Sequence, residues 1–151
     1  MTYALSITID LPFDETVEAT RVALTTSGFG VVSDIDMHAT FGAKLGESAA
    51  AELGEYRILG ACNPRLAQKA LTSEPDVGLL LPCNVVVRRA PHATSTTVQA
   101  IDAMVISDLS GHADVTEVAS EATALLRAAL DVLAAGGGAK TANLGLSDAA
   151  T

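Results

Sequence analysis

The chain opens on a strict alternation, in which Tyr3, Leu5, Ile7, Ile9 and Leu11 interleave with Ala4, Ser6, Thr8 and Asp10. Successive strand side chains point to opposite faces, so this spacing predicts a strand buried on one side. Pro12-Phe13-Asp14 ends the alternation and the period lengthens. Asp14 is the expected cap of a helix whose face carries Val17, Thr20 and Leu24, and Gly28 ends it. A second strand is predicted over residues 31–38 and a short helical connection with Phe41 and Leu45 over 39–47. The Ala-rich stretch that follows reads as a loop or frayed helix. Residues 55–61 read as a third strand, in which Tyr56 and Ile58 alternate in step with Cys62.

Asn63 is a favoured N-cap and Pro64 a favoured first helical residue, so a helix through Leu66, Ala67, Ala70 and Leu71 begins there and stops at Glu74-Pro75-Asp76. The apolar run over 78–89 reads as one strand bent at Pro82, which has no N–H to give the ladder. A turn near Pro91-His92 leads to a fifth strand over 96–107, forming a hairpin. Behind Asp114, Val115, Val118, Ala119, Ala122, Leu125, Leu126, Ala129, Leu130 and Leu133 form one stripe of a long helix. Gly136-Gly137-Gly138 terminates it. These glycines follow a helix, whereas a phosphate cradle places them before a helix N-terminus.

The order β-α-β-(short α)-β-α-β-β-α predicts an α+β fold, a two-layer sandwich whose mainly antiparallel sheet of about five strands is packed by helices. One domain over 1–136 with a flexible tail over 137–151 is the expected organisation. With 151 residues, 49% hydrophobic and only 3% aromatic, the core is built from Val, Ile, Leu and Ala. No apolar run suggests a membrane span, and the N-terminus alternates as a strand rather than resembling a signal peptide, so the expectation is a cytoplasmic protein without membrane contact. Eighteen acidic against 9 basic residues, a net charge of -9, oppose nucleic-acid binding. Arg88-Arg89, the one basic pair considered, reads as a solvated strand end.

The chemistry concentrates at two short motifs, Cys62-Asn63-Pro64-Arg65 and Pro82-Cys83-Asn84. Two cysteines are too few for a disulfide scaffold and are expected as thiols. Cys62 precedes a helix start and lies near Arg65, both of which favour a thiolate. A parallel arrangement of the third and fourth strands across the helical crossover places Cys83 level with Cys62. Cys83 also shares the core-facing alternation of Leu79, Leu81, Val85 and Val87, the reading of a buried small hydrophobe. No Cys-x-x-Cys or His-x-x-x-His pair supplies two metal ligands from one element, and His38, His92 and His112 fall at element ends. Asp34 and Asp36 share one strand face and read as solvated.

The stretch Tyr56-Arg57-Ile58-Leu59-Gly60-Ala61-Cys62-Asn63-Pro64, followed by Leu66-Ala67, Ala70-Leu71, Glu74-Pro75 and residues 78–87, resembles the domain-of-unknown-function family DUF302. Ile35-Asp36 and Leu45-Gly46 fall where that family places such residues, and the tail after Gly136 does not match it. The resemblance implies a TATA-box-binding-protein-like β-α-β4-α fold and homodimers, and no established activity. Fold analogy carries no DNA binding with it. The functional expectation is a homodimeric small-ligand-binding or interaction module, its candidate site formed by Cys62, Asn63, Pro64, Arg65, Cys83 and Asn84. The alternatives are a thiol-based redox or sulfur-transfer protein using Cys62 with Cys83, metal or haem binding through these cysteines, and a purely structural subunit. The residues single out neither a cofactor nor a reaction, and an exposed strand edge, with the fifth strand as candidate, is the expected dimer surface.

Overall fold

The computed structural model describes residues 2–136 and the backbone of 140–141. The tail expected over 137–151 therefore lies outside the described residues, apart from the short Lys140–Thr141 segment. In chain order the elements are β1 (Ala4–Ile9), α1 (Phe13–Thr26), β2 (Gly30–Asp36), α2 (Met37–Leu45), α3 (Glu47–Leu53), β3 (Glu55–Cys62) and α4 (Pro64–Ser73). A 3-10 segment (Pro75–Leu80), β4 (Cys83–Arg89), β5 (Thr96–Ile101), α5 (Met104–Ser110), α6 (Ala113–Gly136) and β6 (Lys140–Thr141) complete them. The sheet order is β2-β3-β4-β5-β1-β6, and every pairing is antiparallel.

Alternation decides which face is covered. Leu5, Ile7 and Ile9 of β1, Leu59 and Ala61 of β3, Cys83, Val85 and Val87 of β4, and Val98 and Ala100 of β5 are buried. They pack beneath α1 and α6, whose Val17, Leu24, Leu126 and Leu130 complete the core. The intervening residues, among them Ser6, Tyr56, Ile58, Val86 and Gln99, are half-exposed on the opposite face. The result is the expected α+β two-layer sandwich. Burying each Leu, Ile or Val side chain among them stabilises it by roughly 1.5–3 kcal/mol.

Several boundaries differ from the sequence reading. Asp14 does not cap α1; Pro12 occupies the cap position, and Asp14 and Glu15 sit in the first turn, where negative charge complements the helix dipole. β2 stops at Asp36 rather than His38, because the Asp36 carboxylate accepts the Ala39 N–H at 2.9 Å and starts α2. The Ala-rich stretch is a true helix, α3. The apolar run before Pro82 is not strand: Pro75–Leu80 coils as a 3-10 segment and leaves Leu79 89% exposed, so Leu79 does not share the core face with Cys83. β5 ends at Ile101 because Asp102 Oδ1 accepts the Met104 N–H at 3.0 Å and opens α5.

Asp114 likewise lies within the first turn of α6, accepting from Ser73 Oγ at 2.7 Å. Asp34 is not merely solvated, for it pairs with Arg57 at 3.0 Å and with Arg21 of α1. Nor are the two arginines at the end of β4 loose charges. Arg88 Nε donates to Gln99 Oε1 at 3.1 Å, and Arg89 donates to the carbonyls of Ala93 and Leu11, both at 3.1 Å. β5 lies between β4 and β1, so it is not an edge; β2 is one edge strand and the two-residue β6 the other. A register shift between Val31 and Ser33 bulges it and leaves Val32 66% exposed.

Candidate functional site

The two cysteine motifs meet at one end of the sheet. β3 and β4 are antiparallel, not parallel as the helical crossover suggested, and Cys83 sits opposite Ala61, the residue before Cys62. The chain leaves β3 at Asn63, whose Oδ1 accepts the Leu66 N–H at 3.2 Å while Pro64 takes the first helical turn. α4 runs outward, the 3-10 segment returns, and Leu81-Pro82 delivers the chain to Cys83. Replacing Asn63 by alanine removes the cap and is expected to cost about 1 kcal/mol, seen as a lowered denaturant midpoint at unchanged slope.

This excursion and the facing helices enclose a cavity of about 350 Å³. Leu66, Ala67, Ala70 and Leu71 of α4 form one wall, Val115, Val118, Ala119 and Ala122 of α6 another, and Ile106, Val77, Leu81 and Phe29 close the remainder. Space survives because alanines at 119 and 122 stand where α6 elsewhere packs leucine against the sheet, and Ala70 of α4 faces them with an equally small side chain. The lining contains no Asp, Glu, Lys, Arg or His; Cys62, Asn63 and Cys83 are its polarisable and polar members.

Of the candidate residues, Cys62, Asn63 and Cys83 line this cavity, whereas Pro64 and Arg65 are exposed outside it. Arg65 turns to Glu121 on α6, so its charge is engaged there. Asn84 is exposed on the other sheet face, beside Tyr56, Val86 and Gln99 in a shallow concavity. The α6 and α5 wall was not among the candidates. Its only signal in the sequence was alanine within an otherwise leucine-rich stripe.

Both cysteines are free thiols, Cys62 half-buried and Cys83 buried. Burial pushes the Cys83 thiol from an ordinary 9.0 up to about 11, and the neighbouring Cys62 adds to the rise. Cys83 is therefore protonated at neutral pH, and only the thiolate is a nucleophile. A brief treatment with iodoacetamide near neutral pH is expected to alkylate Cys62 well ahead of Cys83, read by peptide mass mapping; equal labelling would contradict the burial assigned to Cys83. Among the described residues no group of three or more His, Cys, Asp or Glu side chains is placed to hold a metal ion.

Fold and site together define a two-layer α+β domain with an apolar cavity between its helices and one end of an antiparallel sheet. The family model described as Domain of unknown function DUF302 matches residues 5–133, and the chain belongs to that family. The crystal structure of an uncharacterized conserved protein DUF302 from Bacillus stearothermophilus is similar in fold, with a TM-score of 0.77 and 23% identity over 87% of this chain and 98% of that one. No curated protein matches the chain. No helix among the described residues is long and apolar enough to cross a membrane.

Proposed function

We propose that the chain is a homodimeric small-ligand-binding module whose ligand occupies the cavity bordered by Cys62, Asn63 and Cys83. The supporting observation is the cavity itself: about 350 Å³ of space lined without a charged side chain, within the size range of small-molecule sites. A void of this size without an occupant forfeits packing that the rest of the core makes. The dimer forms through the outer edge of β2, where unpaired backbone groups and the exposed Val32 and Ile35 invite strand pairing. Neither nucleic acid nor a membrane is among the proposed partners, in keeping with the net charge of -9.

A thiol-based function is the second reading, favoured by the meeting of both cysteines in one cavity. It rests on Cys62 alone as the reacting centre, since Cys83 is held protonated. A native mass spectrum of freshly purified protein, taken without chelator or reductant, separates these readings. A dimer carrying extra mass that is lost on denaturation is the expected result. Covalent mass mapping to Cys62 would move the conclusion to thiol chemistry. Bare monomers, together with no thermal stabilisation by any member of a small-molecule library, would overturn the proposal.

A further inference from the structure

The electrostatics of the cavity restrict its ligand more tightly than its shape does. We infer that the ligand is an uncharged, predominantly hydrocarbon molecule of roughly 11 to 14 non-hydrogen atoms, an inference that rests on reading the cavity as a ligand site. The size follows by proportion, since an apolar cavity of about 150 Å³ accommodates benzene and this one measures about 350 Å³.

The charge follows from what surrounds the space. An ionised carboxylate moved into a lining whose polar members are one amide and two thiols loses hydration that these replace only in small part. The two cations on α4 are engaged elsewhere, Arg65 with Glu121 and Lys69 with Glu117 at 2.8 Å, both bridging to α6. The acids on the adjoining segments, Glu74, Asp76, Asp108 and Asp114, add negative potential, and Asp76 immediately precedes the lining residue Val77. An anionic head group therefore meets no free cationic side chain on α4, and the helix start at Asn63 offers it only the dipole of an end whose Leu66 N–H is already capped. At the mouth, the exposed Val32 and Leu71 extend the apolar surface outward instead of offering a polar clamp. The protonated state of Cys83 is what a dry, apolar wall produces.

Decanol and decanoate present the same chain length with an uncharged and an anionic head, and their binding to the full chain is to be measured by titration calorimetry below their micellar and solubility limits. Decanol is expected to bind at least about tenfold more tightly than decanoate. Ala119→Phe, which fills the cavity from α6, is expected to abolish that binding. Leu71→Glu, at a cavity-lining position on α4 that is exposed and away from the β2 edge, is expected to weaken it about fivefold or more by charging the mouth. Decanoate binding as tightly as decanol, and lost in Ala119→Phe, would overturn the inference while leaving the cavity as the ligand site. No binding of either molecule would overturn both, as would decanol binding that neither variant alters.

Discussion

Gly54→Ala is expected to destabilise the domain by about 3–5 kcal/mol, lowering the melting temperature by roughly 8–15 °C. Gly54 joins α3 to β3 with φ +76 and ψ −157, a combination essentially confined to glycine. A methyl group there would also stand 2.5 Å from the Arg89 carbonyl oxygen and 2.9 Å from Pro91 Cδ. Neither neighbour is free to retreat. Arg89 pairs with Glu55 across the β3–β4 ladder, and its guanidinium is tied to the carbonyls of Leu11 and Ala93. On the other side, His38 Nδ1 donates to the Gly54 carbonyl at 2.8 Å and anchors α2 to the same joint. Gly111→Ala is the control: its φ of +69 is also unusual, but an added methyl meets nothing within 4 Å. That variant is expected to cost only about 1–2 kcal/mol, the backbone strain alone. Equal losses in the two variants, measured by denaturant unfolding, would show that the Arg89 contact yields.

The sequence made the main elements readable wherever one physical rule acted without competition. The β1 alternation, the Asn63-Pro64 start of α4 and the apolar stripe of α6 each obey a single period or cap preference, and all three are present in the fold. Errors cluster where two rules compete. Asp36 satisfies a strand face by alternation and an N-cap by chemistry, and the cap prevails because it serves an otherwise unpaired helix N–H. Residues 77–81 are apolar enough for a strand, yet Pro75 begins a 3-10 segment that short apolar runs do not reveal.

The direction of β4 was the most consequential error, and it has a simple geometric cause. A helix between neighbouring strands suggests a parallel crossover. Here the 10 residues of α4 advance about 15 Å, and the six-residue 3-10 segment recovers about 12 Å. The chain consequently returns to the end of the sheet from which it left, and Cys83 arrives beside the end of β3, as antiparallel pairing of the two strands requires. The cysteine half of the site was legible for that reason, while the α6 wall was not: Val115, Ala119 and Ala122 approach Cys62 only through tertiary packing. No local spacing relates them to the motif.

Between about pH 9 and 11 the domain is expected to lose on the order of 3 kcal/mol of stability through Cys83 alone. The sign follows from the protonation states. In the unfolded chain Cys83 ionises near its ordinary 9.0, whereas the folded thiol, desolvated against the cavity and near Cys62, holds its proton up to about 11. Below pH 9 both states are protonated and the stabilisation is fully present. As pH rises, the unfolded state gives up the proton first, so its free energy falls relative to the folded state until the folded thiol also ionises. Other groups titrate in the same window, which makes the difference between wild type and Cys83→Ala the informative quantity. The variant is expected to start about 1 kcal/mol lower at neutral pH, from the lost packing, and then to fall less steeply, so that the two curves cross. Parallel curves would mean that solvent reaches Cys83 and that the cavity wall is wet. A bound uncharged ligand packs against that wall and further disfavours the ionised thiol, so saturation with decanol is expected to move the wild-type loss to still higher pH, an effect absent from Cys83→Ala.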